Sequence, residues 1–323
     1  MRMPLFWLLT SILSGTVVAQ ERVARVGEWM WRDSVPYCDT THRGFVAGLG
    51  EQGFVEGGKL VLLQRSADSD PACFKPMARE LAAARVDVFF APASLMATGA
   101  WYADRSTPIV IATILDPVKL EFVKSLARPG TRVIGVTTMN KELTARRMQM
   151  LLQAAPGIQR IGVLIDDAMR DACKQEAEAM DDPGQRLGVT LHDVHVRVLE
   201  EVDPGFRKLV EGRVQAVLMT LTSTRPGLER EYAQAALKYR LPVMTDAGYA
   251  VPMGALMGDG PDLGDVYRRA GNHVGRVLKG EKPAEMPVEE PSRFILSLNL
   301  KTAKVLGLTL PAGVMVLADE VIE

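Results

Sequence analysis

The chain has 323 residues, of which 47% are hydrophobic and 24% are charged, and its 38 Lys and Arg nearly balance its 39 Asp and Glu. This composition is typical of a globular protein, and a formal charge of −1 excludes the strongly basic surface that binding to a nucleic-acid backbone requires. One hydrophobic core is near its practical limit at this length, so we expect two lobes of about 150 residues each.

The first 19 residues have the pattern of a secretory signal peptide. Arg2 precedes an apolar run from Leu5 to Leu13, and small residues follow as far as Ala19. Polar residues interrupt the run, which falls short of the roughly 20 apolar residues that a transmembrane helix needs. We therefore predict cleavage after Ala19 and a mature protein in the periplasm.

Strand-like runs alternate with helical stretches through the next part of the chain, and this alternation is typical of a parallel α/β sheet. The predicted strands are Val23–Trp31, Leu60–Ser66, Val86–Ala91 (followed by a loop at Pro92), Pro108–Thr113 and Val133–Thr137, and the predicted helices are Thr40–Gln52, Cys73–Ala84 and Leu120–Leu126. We expect residues 20–138 to form the first lobe.

The same alternation repeats in the second half of the chain. The predicted strands are Arg160–Ile165, Thr190–Val198, Ala216–Thr220, Pro242–Thr245, Ala255–Met257 and Arg293–Leu298, and the predicted helices are Lys141–Ala154, Ala168–Leu187, Pro204–Glu211, Arg225–Tyr239, Leu263–Leu278 and Lys301–Leu306.

The C-terminal elements complete both sheets if the chain crosses between the lobes more than once. We expect residues from about 260 to 288 to return to the first lobe, and residues from about 139 to 259 and 289–323 to form the second. The predicted fold class is α/β, with two doubly wound parallel-sheet lobes around a hinged interlobe cleft. Such clefts close on small ligands.

Motifs for catalysis or cofactor binding are not found. The segment Gly53–Lys59 has the spacing of a phosphate-binding loop, but Leu60 stands where Ser or Thr would bind magnesium, and the segment leads from a helix into a strand. On a strand, the spacing of His192 and His195 places them on opposite faces, which disfavours a shared metal. We predict that the protein is not an enzyme and has no cofactor and no metal site.

Polar and aromatic side chains follow several predicted strands, at the edge where open α/β sheets bind ligands. The candidate ligand-binding residues are Trp31, Ser34, Ser94 and Asp116 in the first lobe, and Asp166, Thr222, Asp246 and Tyr249 in the second. Each also has a structural interpretation as a core residue, a turn or a helix cap. Together they suit a small polar or zwitterionic solute, with Asp246 as the main polar anchor and Trp31 as its apolar counterpart.

Two cysteines lie in loops that emerge at one sheet edge, Cys38 after the first strand and Cys73 after the second. Export permits disulfide formation, so Cys38 and Cys73 are a candidate pair, with two free thiols as the alternative. Cys173 would then be left over.

Long ordered stretches of the chain resemble a known family. They are GFVAGLGEQGFVEG at Gly44–Gly57, DPVKLEFVKSLARPGTRVIGV at Asp116–Val136, the segment Tyr267–Pro311, and the ending ADEVIE at Ala318–Glu323. With these the chain resembles the substrate-binding proteins of ABC transporters, which are type I periplasmic binding proteins with tryptophan- and tyrosine-binding members. The resemblance implies two α/β lobes joined by three crossings, capture of a solute between them, and delivery to a membrane permease powered by a separate ATPase.

Two loops depart from the family pattern. Amino-acid-binding relatives have an Asp-Asn pair in the second-lobe loop that here reads LTSTR at Leu221–Arg225, and the loop with Trp29 and Trp31 replaces a loop of small residues. An aromatic wall at that place favours a flat or apolar moiety, so we expect a small polar or aromatic solute.

Transport therefore leads the functional interpretations. A periplasmic sensor subunit for a membrane signalling receptor would use the same fold and stays open as the alternative. The expected partners are a small-molecule ligand and a membrane permease; we expect no nucleic acid, and a monomer. A gene regulator of this fold is excluded by the signal segment and by the lack of a helix-turn-helix before the first strand.

Overall fold

Two β-sheets organise the chain in the computed structural model. It describes residues 22–31, 36–68, 70–114, 116–138, 140–167, 180–220 and 227–323, apart from the side chains of residues 36–38 and 140–142. The predicted signal peptide, Ser34, Thr222 and the side chain of Cys38 lie outside the described residues.

The first sheet contains five parallel strands in the order β2-β1-β3-β4-β5. The strands are β1 (Ala24–Met30), β2 (Leu60–Ser66), β3 (Val88–Phe90), β4 (Ile109–Ile114) and β5 (Val133–Thr137), and the intervening helices are α1 (Pro36–Glu51), α2 (Phe74–Ala83) and α3 (Ser94–Ala103). The central strands are almost continuously apolar because helices cover both faces of the sheet.

The second sheet has seven strands in the order β12-β11-β10-β9-β8-β6-β7, all parallel to their neighbours except β11, which is antiparallel to β10. In chain order, the elements from residue 140 to the C-terminus are α4 (Asn140–Ala154), β6 (Arg160–Asp166), α5 (180–187), β7 (Thr190–Val196), α6 (Val202–Glu211), β8 (Ala216–Met219), α7 (Glu229–Lys238), β9 (Val243–Thr245), β10 (Met257–Pro261), α8 (Leu263–Leu278), β11 (Phe294–Asn299), α9 (Leu300–Leu306), α10 (Ala312–Met315) and β12 (Glu320–Ile322). The chain thus forms two α/β lobes, as the alternating pattern predicts.

Helix α8 follows a strand of the second sheet but packs on the first lobe. It lies against α1 and against β3, β4 and β5. Glycines permit this close contact: a Cβ atom on Gly48 of α1 would overlap the carbonyl oxygen of Arg268, and one on Gly271 of α8 would overlap that of Phe45. Small residues bring two helix backbones together in this way because no side chain separates them.

An aromatic core lies beneath this helix pair. The rings of Phe45 and Phe90 stack with 3.9 Å between centroids, and Tyr267 meets Phe90 edge-on at 5.5 Å. All three residues are buried. Burying aromatic rings of this size contributes much of the hydrophobic stabilisation of a lobe.

The chain passes between the two sheets three times. It leaves the first sheet after β5, returns between β10 and α8, and leaves again between α8 and β11. The second and third passages are hydrogen-bonded to each other, since the N–H of Asp262 donates to the carbonyl of Arg293 at 3.0 Å. Glu289, on the third passage, extends the edge of the first sheet by exchanging backbone hydrogen bonds of 2.9 Å with Gly135 and Thr137.

Two expectations for the first lobe are wrong. Residues 94–103 form helix α3, where we predicted a loop at Pro92 and no helix, because this helix is buried along much of its length and has no charged face to reveal its period. The predicted helix Leu120–Leu126 is instead a series of turns: Phe122 N–H donates to the carbonyl of Pro117, and Glu121 has a left-handed φ of 58°.

The α1–α8 contact predicts a contrast between two glycines of the same helix. Gly48→Ala should lower the free energy of unfolding by about 3 kcal/mol, because the new methyl group overlaps backbone atoms that cannot move aside. Gly50→Ala is the matched control: nothing lies within 4 Å of its added Cβ, so it should stabilise the helix by about 0.5 to 1 kcal/mol. Equal effects in urea denaturation would contradict the close packing.

A second prediction concerns acid stability at the third passage. The ring of buried His273, 3.2 Å from Glu289, and then the guanidinium of Arg269 lower the pKa of Glu289 from 4.5 to about 2. A lowered carboxyl pKa stabilises the fold above pH 4.5 and loses that contribution as the pH falls towards 2.

Glu289→Gln should therefore cost about 1 to 2 kcal/mol at pH 7, after allowance for solvent screening, and almost nothing near pH 2. Chemical denaturation of both proteins across this range measures the difference. A gap that stays constant with pH would show that the carboxylate charge does not contribute.

Candidate functional site

The carboxyl end of β1 holds two tryptophans, and both are buried. Trp31 is 2% exposed and meets Phe74 of α2 edge-on, with 4.8 Å between ring centroids. Trp29 is equally buried and packs against Phe89 at 5.4 Å. The structure therefore buries Trp31 in the core of the first lobe, where it also lines a small pocket with Glu28 and His42, and its contact with a solute stays a prediction.

A buried carboxylate lies beside these rings. Glu28 of β1 is 2% exposed; its Oε1 is 2.9 Å from Nδ1 of His42, and its Oε2 accepts a 3.0 Å hydrogen bond from Gln64. The hydrogen bond to Glu28 raises the pKa of His42. Sequence reasoning missed Glu28 because it lies inside a predicted strand, although a glutamate within ARVGEWM is the signal that marks it.

Two further candidates of the first lobe have local backbone roles. Ser94 is the first residue of α3, and its carbonyl accepts the hydroxyl of Thr98 at 2.8 Å. The helix begins after Ala93, whose side chain makes no capping hydrogen bond with the first N–H groups of α3. Asp116 caps a turn, since its Oδ1 accepts the N–H groups of Val118 and Lys119 at 3.1 and 2.8 Å.

In the second lobe, two of the predicted aspartates are buried at the carboxyl ends of strands. Asp166 ends β6 at 1% exposure, and the hydroxyl of Tyr232 on α7 lies 3.4 Å from its Oδ2. Asp246 directly follows β9 and is fully buried. Its backbone lies so close to Gly260 of β10 that a Cβ atom on Gly260 would overlap the carbonyl oxygen of Asp246. Both carboxylates therefore lie beneath the surface of this edge.

Tyr249 is held by a residue that the sequence did not single out. It lies in the 3-10 turn Gly248–Met253, and its hydroxyl donates to Oε1 of Glu229 at 2.7 Å. Glu229 begins α7 and is 4% exposed, and its Oε2 accepts the N–H of Gly227 at 2.9 Å. Burial raises the pKa of Glu229. No local spacing in the sequence connects Glu229 to Tyr249, because the two residues are 20 positions apart and only the fold brings them together.

A cavity of about 390 Å³ lies where the lobes meet. Its walls include Thr40 of α1 on the first lobe, and Tyr249, Ile295 and Ser297 on the second, together with the passage residues 260–264. The volume is within the range of small-molecule sites, about 300 to 1,000 Å³. Residues distant in sequence thus enclose a space that touches both lobes.

Helix α7 is the element that ties predicted residues together, through Tyr232 to Asp166 and through Glu229 to Tyr249. Among the described side chains Cys73 has no disulfide partner, and its Sγ lies 3.8 Å from Oδ2 of Asp70 in its own turn. Because the side chain of Cys38 lies outside the described residues, a disulfide between Cys38 and Cys73 stays a prediction. Within the described ranges, no group of three or more His, Cys, Asp or Glu is placed to bind a metal ion, and no helix is long and apolar enough to span a membrane.

Solved structures with this fold include several solute-binding proteins. A conserved domain protein of Vibrio cholerae is 23% identical, with a TM-score of 0.86 over 93% of this chain and 100% of its own. An ABC domain of Streptococcus pneumoniae in complex with L-Trp is 24% identical, with a TM-score of 0.83 over 93% and 99% of the two chains.

Sequence comparison also finds solute-binding proteins. A tyrosine-binding protein of Clostridioides difficile is 22% identical over 273 residues, which cover 84% of this chain and 78% of that protein. The family model for ABC transporter substrate binding proteins matches residues 34–322. The chain therefore belongs to the family of ABC transporter substrate-binding proteins.

Proposed function

We propose that this protein is the extracytoplasmic solute-binding component of an ABC importer. It captures a small polar or aromatic solute between its two lobes and delivers it to the membrane permease. The observation that carries the proposal is the cavity at the lobe junction, because its walls come from both lobes and from the passage segments that join them. A solute held by both lobes shifts an open–closed equilibrium towards the closed form.

An amino acid is the ligand class that the edges of the two sheets favour. The first turn of α3, which Ala93 does not cap, offers backbone N–H groups to a carboxylate. The second lobe supplies the carboxylates of Asp166 and Asp246, which suit an ammonium group, and the aromatic ring of Tyr249. Relatives bind Trp and Tyr, which makes L-Trp and L-Tyr the first solutes to try.

The lobes divide in this proposal where the chain changes sheets, near residues 138, 260 and 288. We also propose that the signal segment is removed after Ala19 and that the mature protein acts in the periplasm as a monomer. Edman sequencing of the exported protein checks the cleavage after Ala19, and light scattering checks the monomeric state.

Two samples test the ligand class: protein purified directly from the periplasm, and the same protein after unfolding, removal of the ligand and refolding. Mass spectrometry of the released small molecules should identify an amino acid or a similar zwitterion, and calorimetric titration of the stripped protein with L-Trp and L-Tyr should give saturable heat. No released solute and no heat with any of the twenty amino acids would overturn the assignment to amino acids.

Asp246 is the residue with which we test the polar anchor. Asp246→Ala should weaken binding of the solute identified above by roughly 1.5 to 3 kcal/mol, about one to two decades, because a charged hydrogen bond is lost in a desolvated cleft. Asp203→Ala is the control, since Asp203 lies on α6 and pairs with Lys238 away from the cleft. A lower melting temperature with unchanged affinity would instead make Asp246 a structural residue.

A further inference from the structure

Glu229 is a buried carboxylate whose two oxygens serve two different segments. Oε2 accepts the backbone N–H of Gly227 at 2.9 Å, and Oε1 accepts the hydroxyl of Tyr249 at 2.7 Å. The side chain is 4% exposed, so water does not replace either donor easily. One side chain therefore connects the end of the β8–α7 loop to the turn that follows β9.

Both connected segments belong to the proposed solute-binding edge. Gly227 directly follows residues 221–226, the stretch that contains the predicted ligand residue Thr222. Tyr249 lines the cavity at the lobe junction, together with Thr40 of the first lobe. The hydroxyl oxygen of a tyrosine lies on the χ2 axis, so holding it at a buried, immobile acceptor restricts χ1 and thereby the position of the ring.

The burial of Glu229 has a desolvation cost that its two hydrogen bonds offset only in part. An ionised carboxylate loses hydration on burial, and desolvation is the largest cause of its raised pKa, while the contact with Tyr249 and the N–H of Gly227 act in the opposite direction. A hydrophobic residue at this helix position would pack without that cost. The carboxylate is therefore better explained by the two donors that it holds than by the stability of α7.

We propose that Glu229 is a positioning residue that sets the place of Tyr249 at the lobe junction, and thereby selects solutes with a planar side chain. The inference rests on the proposed function, because it concerns the same solute. Glu229 acts through its hydrogen bonds to Tyr249 and Gly227, not by touching the solute itself. The ring of Tyr249 is the flat surface on which a planar group would stack, in place of the buried Trp31.

Affinity measurements test this role with L-Trp and L-Tyr as planar probes and L-Leu as a non-planar one. Glu229→Ala and Tyr249→Phe should each weaken the affinity for a planar probe by tenfold or more and affect L-Leu less. The double variant should lose no more than the worse single variant, because both changes break one interaction. Glu229→Gln, which keeps one acceptor oxygen and the side-chain shape, should retain more affinity than Glu229→Ala.

Glu231→Ala is the matched control. It removes a carboxylate from the same turn of α7, and among the described residues Glu231 makes no hydrogen bond with Tyr249 or Gly227. Its affinities should stay within twofold of the wild type. If Glu229→Ala lowers only the melting temperature and leaves the preference for planar probes intact, Glu229 is a structural residue and the proposal is wrong.

Hydrogen exchange of the ligand-free protein provides a readout that does not depend on the solute. Glu229→Ala should increase exchange in both residues 227–228 and residues 248–251, while Glu231→Ala should increase it in neither. Unchanged exchange in both segments overturns the positioning role whatever the ligand is. If the wild type binds none of the probes, the amino-acid assignment fails, and the exchange data alone decide on Glu229.

Discussion

The contact between α1 and α8 is the constraint on which the arrangement of both lobes depends. The two helices are more than 200 residues apart in the chain, yet glycines let their backbones touch. Because α8 follows β10 of the second sheet, the chain must return to the first lobe to make this contact, and it must leave again to reach β11. The second and third passages between the lobes are therefore required by this one glycine-mediated contact.

The passages are tied to each other and to the first lobe. The hydrogen bond between Asp262 and Arg293 keeps two passages side by side, and Glu289 adds a backbone bridge to the edge of β5. The ion pair of Glu289 with Arg269 and its 3.2 Å contact with the ring of His273 anchor this bridge to α8. In the proposed open–closed motion, the lobes move as rigid bodies and these connecting segments bend.

The second lobe has three buried carboxylates near the carboxyl ends of its strands. Asp166, Glu229 and Asp246 are each less than 5% exposed, and tyrosine hydroxyls contact the first two. Buried polar networks are stabilising only when their members are satisfied, so the tyrosines have a structural role as well as any role towards a solute. The first lobe contributes a comparable buried group, Glu28, which His42 and Gln64 satisfy.

Strand and helix periodicity in the sequence is enough to determine much of this fold. Among the described residues, eleven of the twelve strands overlap a predicted strand, although β10 shares only Met257 with its prediction, and the division of the chain into two α/β lobes follows from the alternation of strands with helices. The buried helix α3 was missed because it has no polar face, and β12 because three residues carry too little periodicity. The carboxyl ends of strands also led to Asp166, Asp246 and Tyr249, since chain direction fixes which edge of a parallel sheet carries loops of this kind.

Side-chain burial and partnership were decided only by the tertiary structure. Trp31 is a candidate solute contact by its place in the chain and a core residue by its contact with Phe74. In the sequence, Glu229 is one of several charged residues at the start of a helix. Only the fold brings Tyr249 and Gly227 to its two oxygens. Local sequence sets which face and which edge a residue occupies, but whether a polar side chain there meets solvent, a solute or another side chain depends on groups that folding brings from distant parts of the chain.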